Sequence, residues 1–106
     1  MNEEKDVFAE VDETIVELNV LGVTYKVIEV DVVDKREFKF GEIDFITNEI
    51  RIDKNLPTTL KNQTLMHEIL HAVFQLLGME KEESEVQSLA TALHQVFTAQ
   101  TIFSSC

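Results

Sequence analysis

The chain has 106 residues, of which 44% are apolar and 27% are charged, and its formal net charge is −11. This length fits one domain with a modest core, and the composition is that of a soluble globular protein. The charge argues against direct binding to nucleic acid, which needs clustered Lys and Arg, and favours a basic partner. No apolar run approaches the roughly 18 residues of a membrane span. Since the acidic start is also unlike a signal peptide, we expect a cytoplasmic protein.

The N-terminal part of the chain predicts a separate segment followed by a single domain. Residues 1–13 carry many charges and little periodicity, which predicts a flexible or short helical segment. Residues 14–106 are then expected to form one domain. It begins with a β-branched, partly alternating run over residues 14–33. Gly22 interrupts this run, so we expect two strands that are joined near this glycine.

A second hairpin is predicted after a charged connection at residues 34–39. Apolar residues recur over 43–46 and again over 50–52. Thr47 and Asn48 lie between these arms, and Asn tolerates the positive φ that a tight turn requires. The sheet is therefore expected to have three to four strands in an antiparallel or mixed arrangement.

Two long helices are predicted in the second half of the chain. Pro57 suits the start of a helix, which should run over residues 58–77 and end at Gly78 in a left-handed cap. The second helix should begin within residues 80–84 and continue to about Phe103. An α+β fold follows, in which the sheet packs on both helices. The predicted buried residues are Met66, Leu70, Val73, Phe74 and Leu77 on the first helix, and Val86, Leu89, Ala90, Leu93, Val96 and Phe97 on the second.

The first helix carries the motif His-Glu-x-x-His at residues 67–71. Residues four apart lie on one face of a helix, so His67 and His71 can converge on one cation. Zn²⁺ suits this pair because it binds imidazole nitrogens and, with three protein ligands, leaves a position free for water. Glu68 can reach that water as a general base, which predicts a metallohydrolase. The alternative is that these are polar residues on the flank of an amphipathic helix.

The third ligand of such a zinc site must come from elsewhere in the chain. Cys106 is the only cysteine, so neither an internal disulfide nor a cysteine-based zinc site is expected. His94 is far along the second helix, about 180° around the axis from Glu85, and cannot share a metal with it. We therefore expect the third ligand to be a glutamate.

A helical hairpin that turns at Gly78 would bring the start of the second helix back alongside His71. By helical phase, Glu82 is centred on the predicted apolar face, and Glu85 lies at its margin. Phase alone prefers Glu82 slightly. The glutamates that compete for this role are Glu80, Glu82, Glu83 and Glu85.

Two segments of the chain resemble the ImmA/IrrE-type metallopeptidases of bacteria, prophages and mobile elements. The first is QTLMHEILHA at residues 63–72, and the second is EVQSLA at residues 85–90. In that family the second segment is similar to Glu-Ala-x-x-Phe-Ala, and its glutamate is the third zinc ligand. The resemblance therefore implies that Glu85 is the third ligand, although Val86 and Leu89 stand where the family has Ala and Phe.

The resemblance implies a compact zincin-like domain that holds one Zn²⁺ per chain and cleaves proteins. Characterised relatives cleave transcriptional repressors, so a basic DNA-binding repressor is an expected substrate. The strand at residues 49–53 resembles the family's strand that lines the substrate cleft. If it is a sheet edge, Ile50, Arg51 and Ile52 would bind an extended peptide by backbone pairing.

A function without catalysis is the alternative, namely a protein-binding module on a zinc-stabilised zincin fold. Glu68 favours the enzyme, because a purely structural site needs no base beside an open position. Tyr25 could stabilise an oxyanion, but its place in an apolar strand favours a packing role.

Overall fold

The structure is a computed structural model that describes residues 13–31 and 39–99. Predictions that concern residues 1–12, 32–38 and 100–106 lie outside the described residues. The described part is a small α+β domain with a four-stranded mixed sheet and two helices, as predicted at this level. Its elements in chain order are β1 (Glu13–Val20), β2 (Val23–Val30), β3 (Gly41–Asp44), β4 (Glu49–Asp53), α1 (Thr58–Leu76) and α2 (Glu83–Ala99).

The sheet has the strand order β1-β2-β4-β3. β1 and β2 form the predicted antiparallel hairpin, with Leu21 and Gly22 in the turn at φ values of 51° and 92°. The Asn19 side chain accepts a hydrogen bond of 2.9 Å from the Gly22 backbone N–H and supports this turn. β2 and β4 are parallel, and β4 and β3 are antiparallel. The connection between β2 and β3 therefore crosses over and leaves β4 inside the sheet.

The position of β4 contradicts the prediction that residues 49–53 form a sheet edge. β4 pairs with β2 on one side and with β3 on the other, so its backbone groups are already used. Ile50 is fully buried and Ile52 is 3% exposed. Arg51 is half-buried and forms ion pairs of 3.1 and 2.8 Å with two neighbouring glutamates. Among the described strands, β3 is the edge strand on this side of the sheet.

The turn between β3 and β4 is held by one carboxylate. Asp44 Oδ1 accepts hydrogen bonds of 2.9 Å from the Ile46 N–H and 3.3 Å from the Thr47 N–H. These two donors hold the pKa of the Asp44 carboxyl below its usual value. Asn48 has a φ of 58°, as the sequence predicts for the turn. The predicted second hairpin is confirmed.

Helix α1 packs on the sheet with one face and on α2 with another. Tyr25 is 2% exposed in the cluster between the sheet and α1, which agrees with its predicted packing role. The buried residues of this cluster are Val20, Tyr25, Val27, Ile50, Ile52 and Ala72. A smaller cluster between α1 and α2 consists of Leu70, Val86 and Ala90, with Met66, Phe74 and Leu93 packed against it.

The end of α1 turns the chain back toward α2. Gly78 has a φ of 69°, and the Met79 N–H donates a hydrogen bond of 2.9 Å to the Phe74 carbonyl, which forms the predicted cap. Leu77 lies just beyond the helix and is 56% exposed, although it was predicted to be buried. Neither described helix is both long and apolar enough to cross a membrane.

The apolar face of α2 is covered only in part. Leu89, Val96 and Phe97 were predicted to be buried, but they are 42%, 44% and 63% exposed. α2 packs against α1 through Val86 and Ala90, and this contact covers a narrower stripe than the apolar pattern suggests. The centre of the buried face is therefore displaced from the centre of the apolar pattern.

β3 approaches α1 closely at Gly41. A Cβ atom on this glycine would lie 2.6 Å from Thr64 Cγ2, 3.1 Å from the Arg51 carbonyl oxygen and 3.2 Å from Ile52 Cδ1. Thr64 is 8% exposed and lies one turn before His67, so it has little room to move. The absence of a side chain at residue 41 thus allows β3 to lie directly against α1.

We expect Gly41→Ala to lower the free energy of unfolding by about 1–3 kcal/mol, because the added methyl overlaps the γ-methyl of Thr64. Thr64→Ser removes that γ-methyl and should restore part of the loss in the double variant. Urea unfolding of the wild type, both single variants and the double variant measures this coupling. Additive effects of the two substitutions would show that the contact with Thr64 is not responsible.

Candidate metal centre

Three side chains from the two helices converge on one point. His67 Nε2 and His71 Nε2 on α1 lie 3.1 Å apart, and Glu83 Oε1 on α2 lies 2.9 and 3.0 Å from them. The two imidazole rings have their centroids 4.8 Å apart and are inclined at 65°. These three residues form a group that could hold a metal ion.

Local packing of the helices produces this convergence. On α1, the histidine pair lies between the face that packs on the sheet and the face that packs on α2. On α2, Glu83 precedes Val86 by three residues and Ala90 by seven, so it shares the face that contacts α1. The Gln63 side chain donates a hydrogen bond of 3.0 Å to Thr91 Oγ1 further along the two helices. The helices are thus antiparallel, and the first turn of α2 lies beside the histidines.

The donor set fits a divalent cation. Two imidazole nitrogens and one carboxylate oxygen are the protein ligands of many catalytic zinc sites. Tetrahedral Zn²⁺ with bonds of about 2.0–2.1 Å holds its ligand atoms roughly 3.3 Å apart, close to the separations of 2.9–3.1 Å found here. If both Nε2 atoms carried protons, these protons would face each other at close range. A cation at the same point would instead accept one lone pair from each of the two nitrogens and from Glu83 Oε1.

In the described part of the chain, the second nitrogen of one histidine has no partner that would orient the ring. His67 Nδ1 is buried and lacks a hydrogen-bond partner among the residues that the structure describes. In metal sites this nitrogen commonly donates to a carboxylate or carbonyl group. The orientation of the His67 ring, whose side chain is 15% exposed, therefore depends on its packing and on the contacts of Nε2.

The glutamate at the histidines is Glu83, which differs from both residues favoured by the sequence. Glu85 Oε1 instead accepts a hydrogen bond of 3.0 Å from the Glu82 backbone N–H. The Glu82 carbonyl in turn accepts from the backbone N–H groups of Glu85 and Val86 at 3.0 Å. These two residues therefore build the N-terminal cap of α2. The structure does not include either carboxylate in the group that could hold a metal.

A different choice of helical face would have selected Glu83 from the sequence. The apolar face that the sequence predicts for α2 includes Leu89, but this residue is 42% exposed in the structure. The face that is buried runs through Val86 and Ala90. Measured from these two residues, Glu83 lies nearer the centre of the buried face than Glu82 does.

His94 lies outside this group. Its phase on α2 is close to that of Glu83, but eleven residues separate the two, or about 16 Å along the axis. The side chain is half-buried, and its Nε2 has no hydrogen-bond partner within the described ranges.

Glu68 is buried beside the histidines. Only 6% of the residue is exposed. The pKa of the Glu68 carboxyl is raised to about 7, first by burial and then by the negative charges of Glu83 and Glu42, whereas Lys39 acts in the opposite direction. A carboxyl group with a pKa near neutrality can exchange a proton readily at physiological pH.

A main cavity of about 670 Å³ opens at the convergent side chains. The acidic residues of its lining are three glutamates, and the lining also includes Lys39. The size is in the range of ligand-binding cavities. The residues that line the main cavity include Lys39, Phe40, Gly41, Glu42, Ile43, Phe45, Leu60, Thr64, His67, Glu68, His71 and Glu83.

The edge of β3 borders the main cavity. The Phe40 carbonyl accepts a hydrogen bond of 2.9 Å from the Asp53 N–H, so these residues form a hydrogen-bonded pair. Such pairs alternate along an antiparallel ladder. The register therefore directs the backbone groups of Gly41 and Ile43 away from β4. Both residues line the main cavity, so this short edge offers donors and acceptors that no described strand pairs, beside the group that could hold a metal.

A second cavity of about 340 Å³ lies on the other side of His71. Phe45 and His71 line both cavities, so the two are adjacent. The remaining residues that line the second cavity are Phe74, Gln75, Met79, Glu80, Lys81 and Val86.

We expect Glu83→Gln to weaken Zn²⁺ binding at least about tenfold, or ~1.4 kcal/mol, because it removes an anionic ligand. Competition with a chromogenic chelator measures this affinity. Glu85→Gln is the matched control: it alters the cap of α2 and lowers stability, but it should leave zinc affinity within a few-fold of the wild type. A larger loss in Glu85→Gln than in Glu83→Gln would contradict the observed arrangement.

The raised pKa of Glu68 predicts how stability depends on pH in the metal-free protein. The folded state retains the Glu68 proton up to a pKa of about 7, whereas the unfolded state releases it near the ordinary glutamate pKa of 4.5. The free energy of unfolding therefore falls by about 3 kcal/mol as the pH rises from 4.5 to about 7, because the unfolded state releases the proton of Glu68 over this range while the folded state retains it.

Glu68→Gln should remove this loss, and urea unfolding with chelator at pH 5 and pH 8 measures it. Glu17→Gln, at an exposed position on β1, is the control and should behave as the wild type. An equal loss of stability in the wild type and in Glu68→Gln would disprove the assignment.

The chain matches no protein-family model, and searches of curated proteins and of solved structures found no similar protein. The resemblance to ImmA/IrrE-type metallopeptidases is thus based on the sequence motifs. The features that bear on function are the group of His67, His71 and Glu83, which could hold a metal ion, and the cavities beside it.

Proposed function

We propose that this protein is a zinc-dependent endopeptidase with a zincin-like fold. The observation that carries the proposal is a buried carboxyl group, Glu68, next to three convergent donor atoms of His67, His71 and Glu83 in one cavity. A zinc site that only stabilises a fold is normally closed by four protein ligands and needs no buried carboxyl group beside it. The additional carboxyl group and the open cavity favour catalysis.

The residues of the site divide into two roles. His67, His71 and Glu83 would hold Zn²⁺, which supplies Lewis acidity and lowers the pKa of water when it is bound. Glu68 accepts a proton from the water that attacks the peptide carbonyl. As the carbon–nitrogen bond breaks, Glu68 delivers this proton to the leaving amine, so the residue ends in its starting state.

A metal cation held by the histidines would lower the pKa of Glu68 and so suit this residue to act as a base. Without a cation, burial and the neighbouring negative charges together raise the pKa of the Glu68 carboxyl to about 7. A neighbouring cation favours the ionised form, which is the form that accepts a proton. Binding of zinc would therefore determine how much of Glu68 is in the ionised form that accepts a proton.

The edge of β3 is proposed to bind the substrate as an added strand. Gly41 and Ile43 direct backbone groups toward the main cavity, at a spacing that an extended peptide matches. This role replaces the one expected for Ile50, Arg51 and Ile52, which lie in the interior strand. Backbone pairing requires an unfolded or flexible segment of the substrate.

A regulatory protein with a basic surface is the proposed substrate, and a DNA-binding transcriptional repressor has this character. The net charge of −11 favours encounter with a basic partner. Glu42 and Glu83 line the main cavity beside Glu68, so the negative charge extends to the site itself. The resemblance to metallopeptidases that cleave repressors supports the same substrate class.

Co-expression with candidate repressors tests the proposal, with substrate fragments detected by mass spectrometry. We expect fragments with the wild type and a loss of rate of about 10²–10⁴ in Glu68→Gln, because this substitution removes the general base. Glu42→Gln is a matched control that removes an acidic group of the same cavity without removing the base.

Zinc content must be measured for each variant, so that loss of base is separated from loss of metal. Glu68→Gln should retain the ion, since Glu68 is not part of the donor group. A repressor that binds the wild type and Glu68→Gln equally, and that neither cleaves, would instead indicate a binding module.

A further inference from the structure

We propose that the second cavity selects a large apolar side chain of the substrate on the N-terminal side of the cleaved bond. This inference depends on the proposed endopeptidase function and adds the substrate preference of that site. The second cavity shares Phe45 and His71 with the main cavity, so it lies directly beside the metal-binding group.

The more buried part of the lining of the second cavity is apolar. Val86 is 1% exposed, and Phe74 is packed against the cluster that contains it. Phe45 and Met79 contribute half-exposed apolar side chains, at 40% and 45% exposure. The polar lining residues that are exposed are Gln75, Glu80 and Lys81. An apolar side chain that enters the cavity therefore contacts Val86 and Phe74 while its backbone remains near the polar groups.

The size of the second cavity sets the kind of side chain. At about 340 Å³ it lies at the lower end of the range for ligand-binding cavities. It can accommodate a side chain such as Leu, Met or Phe, but not a folded segment of a partner. Burial of such a side chain removes apolar surface of both molecules from water.

The direction of β3 determines which part of the substrate reaches the second cavity. Gly41 and Ile43 line only the main cavity, whereas Phe45, which follows β3, lines both. The second cavity therefore lies beyond the C-terminal end of β3. An added strand that pairs antiparallel to β3, the slightly more stable arrangement, passes this end with its N-terminal part. The residue in the second cavity thus precedes the cleaved bond.

A peptide library prepared from a digested cell extract is the probe. The zinc-loaded full chain is incubated with the library, and cleavage sites are identified by mass spectrometry. We expect Leu, Met and Phe to be enriched at one position on the N-terminal side of the cleaved bonds. Met79→Glu replaces one of the four apolar lining side chains by a carboxylate and should lower the relative kcat/KM for these peptides about tenfold or more.

Leu77→Glu is the matched control for charge and position. Leu77 is in the same turn as Met79 and is 56% exposed, but it lines neither cavity. This variant should retain the wild-type cleavage profile. Zinc binding, measured for both variants, should equal that of the wild type, so that a changed profile reports on the second cavity.

The outcomes separate this inference from the proposed function. Cleavage without apolar enrichment before the cleaved bond, or an unchanged profile in Met79→Glu, would overturn the inference and leave the endopeptidase intact. An equal change in Leu77→Glu would also overturn it. No cleavage by zinc-loaded wild type would overturn the endopeptidase proposal, and the substrate preference with it.

Discussion

The packing of α2 against α1 is the contact on which the candidate site depends. Val86 and Ala90 press against Leu70, and this small cluster sets both the spacing and the rotation of the helices. The rotation brings Glu83 to the histidine pair and directs the neighbouring carboxylates elsewhere. The geometry of this site depends on the interface between the two helices. If α2 were rotated about its axis by the angle between successive residues, another side chain would face the histidines. The small volume of Ala90 matters here because it lets the helices approach closely.

The sequence was most informative where a local rule determines the structure. His67 and His71 are four residues apart on one helix, and no distant part of the chain can alter that relation. The turns at Gly22 and Asn48 and the cap at Gly78 were predictable for a similar reason, since each requires a positive φ. The placement of Glu68 beside the histidines follows from the same helix geometry.

Features that depend on long-range packing were predicted less well. The interior position of β4 follows from its parallel pairing with β2, which the alternation of apolar residues does not reveal. Glu83 can be selected only when the buried face of α2 is known. Leu89 and Phe97 are apolar but exposed, so the apolar pattern of the sequence does not coincide with that face. The resemblance to a family pointed to Glu85 by position in a motif, while the structure gives this residue a capping role.

The position of Glu83 has a consequence for the kinetics of ion exchange. Its side chain is 71% exposed, on the first turn of α2, whereas those of His67 and His71 are 15% and 28% exposed. The carboxylate can therefore swing into solvent while both imidazoles remain in place. Departure of an ion held by these three residues would begin at Glu83, so the residence time of the ion would be sensitive to the mobility of this side chain. The two histidines lie on the packed part of α1, so gain or loss of the ion would leave the core between the helices in place.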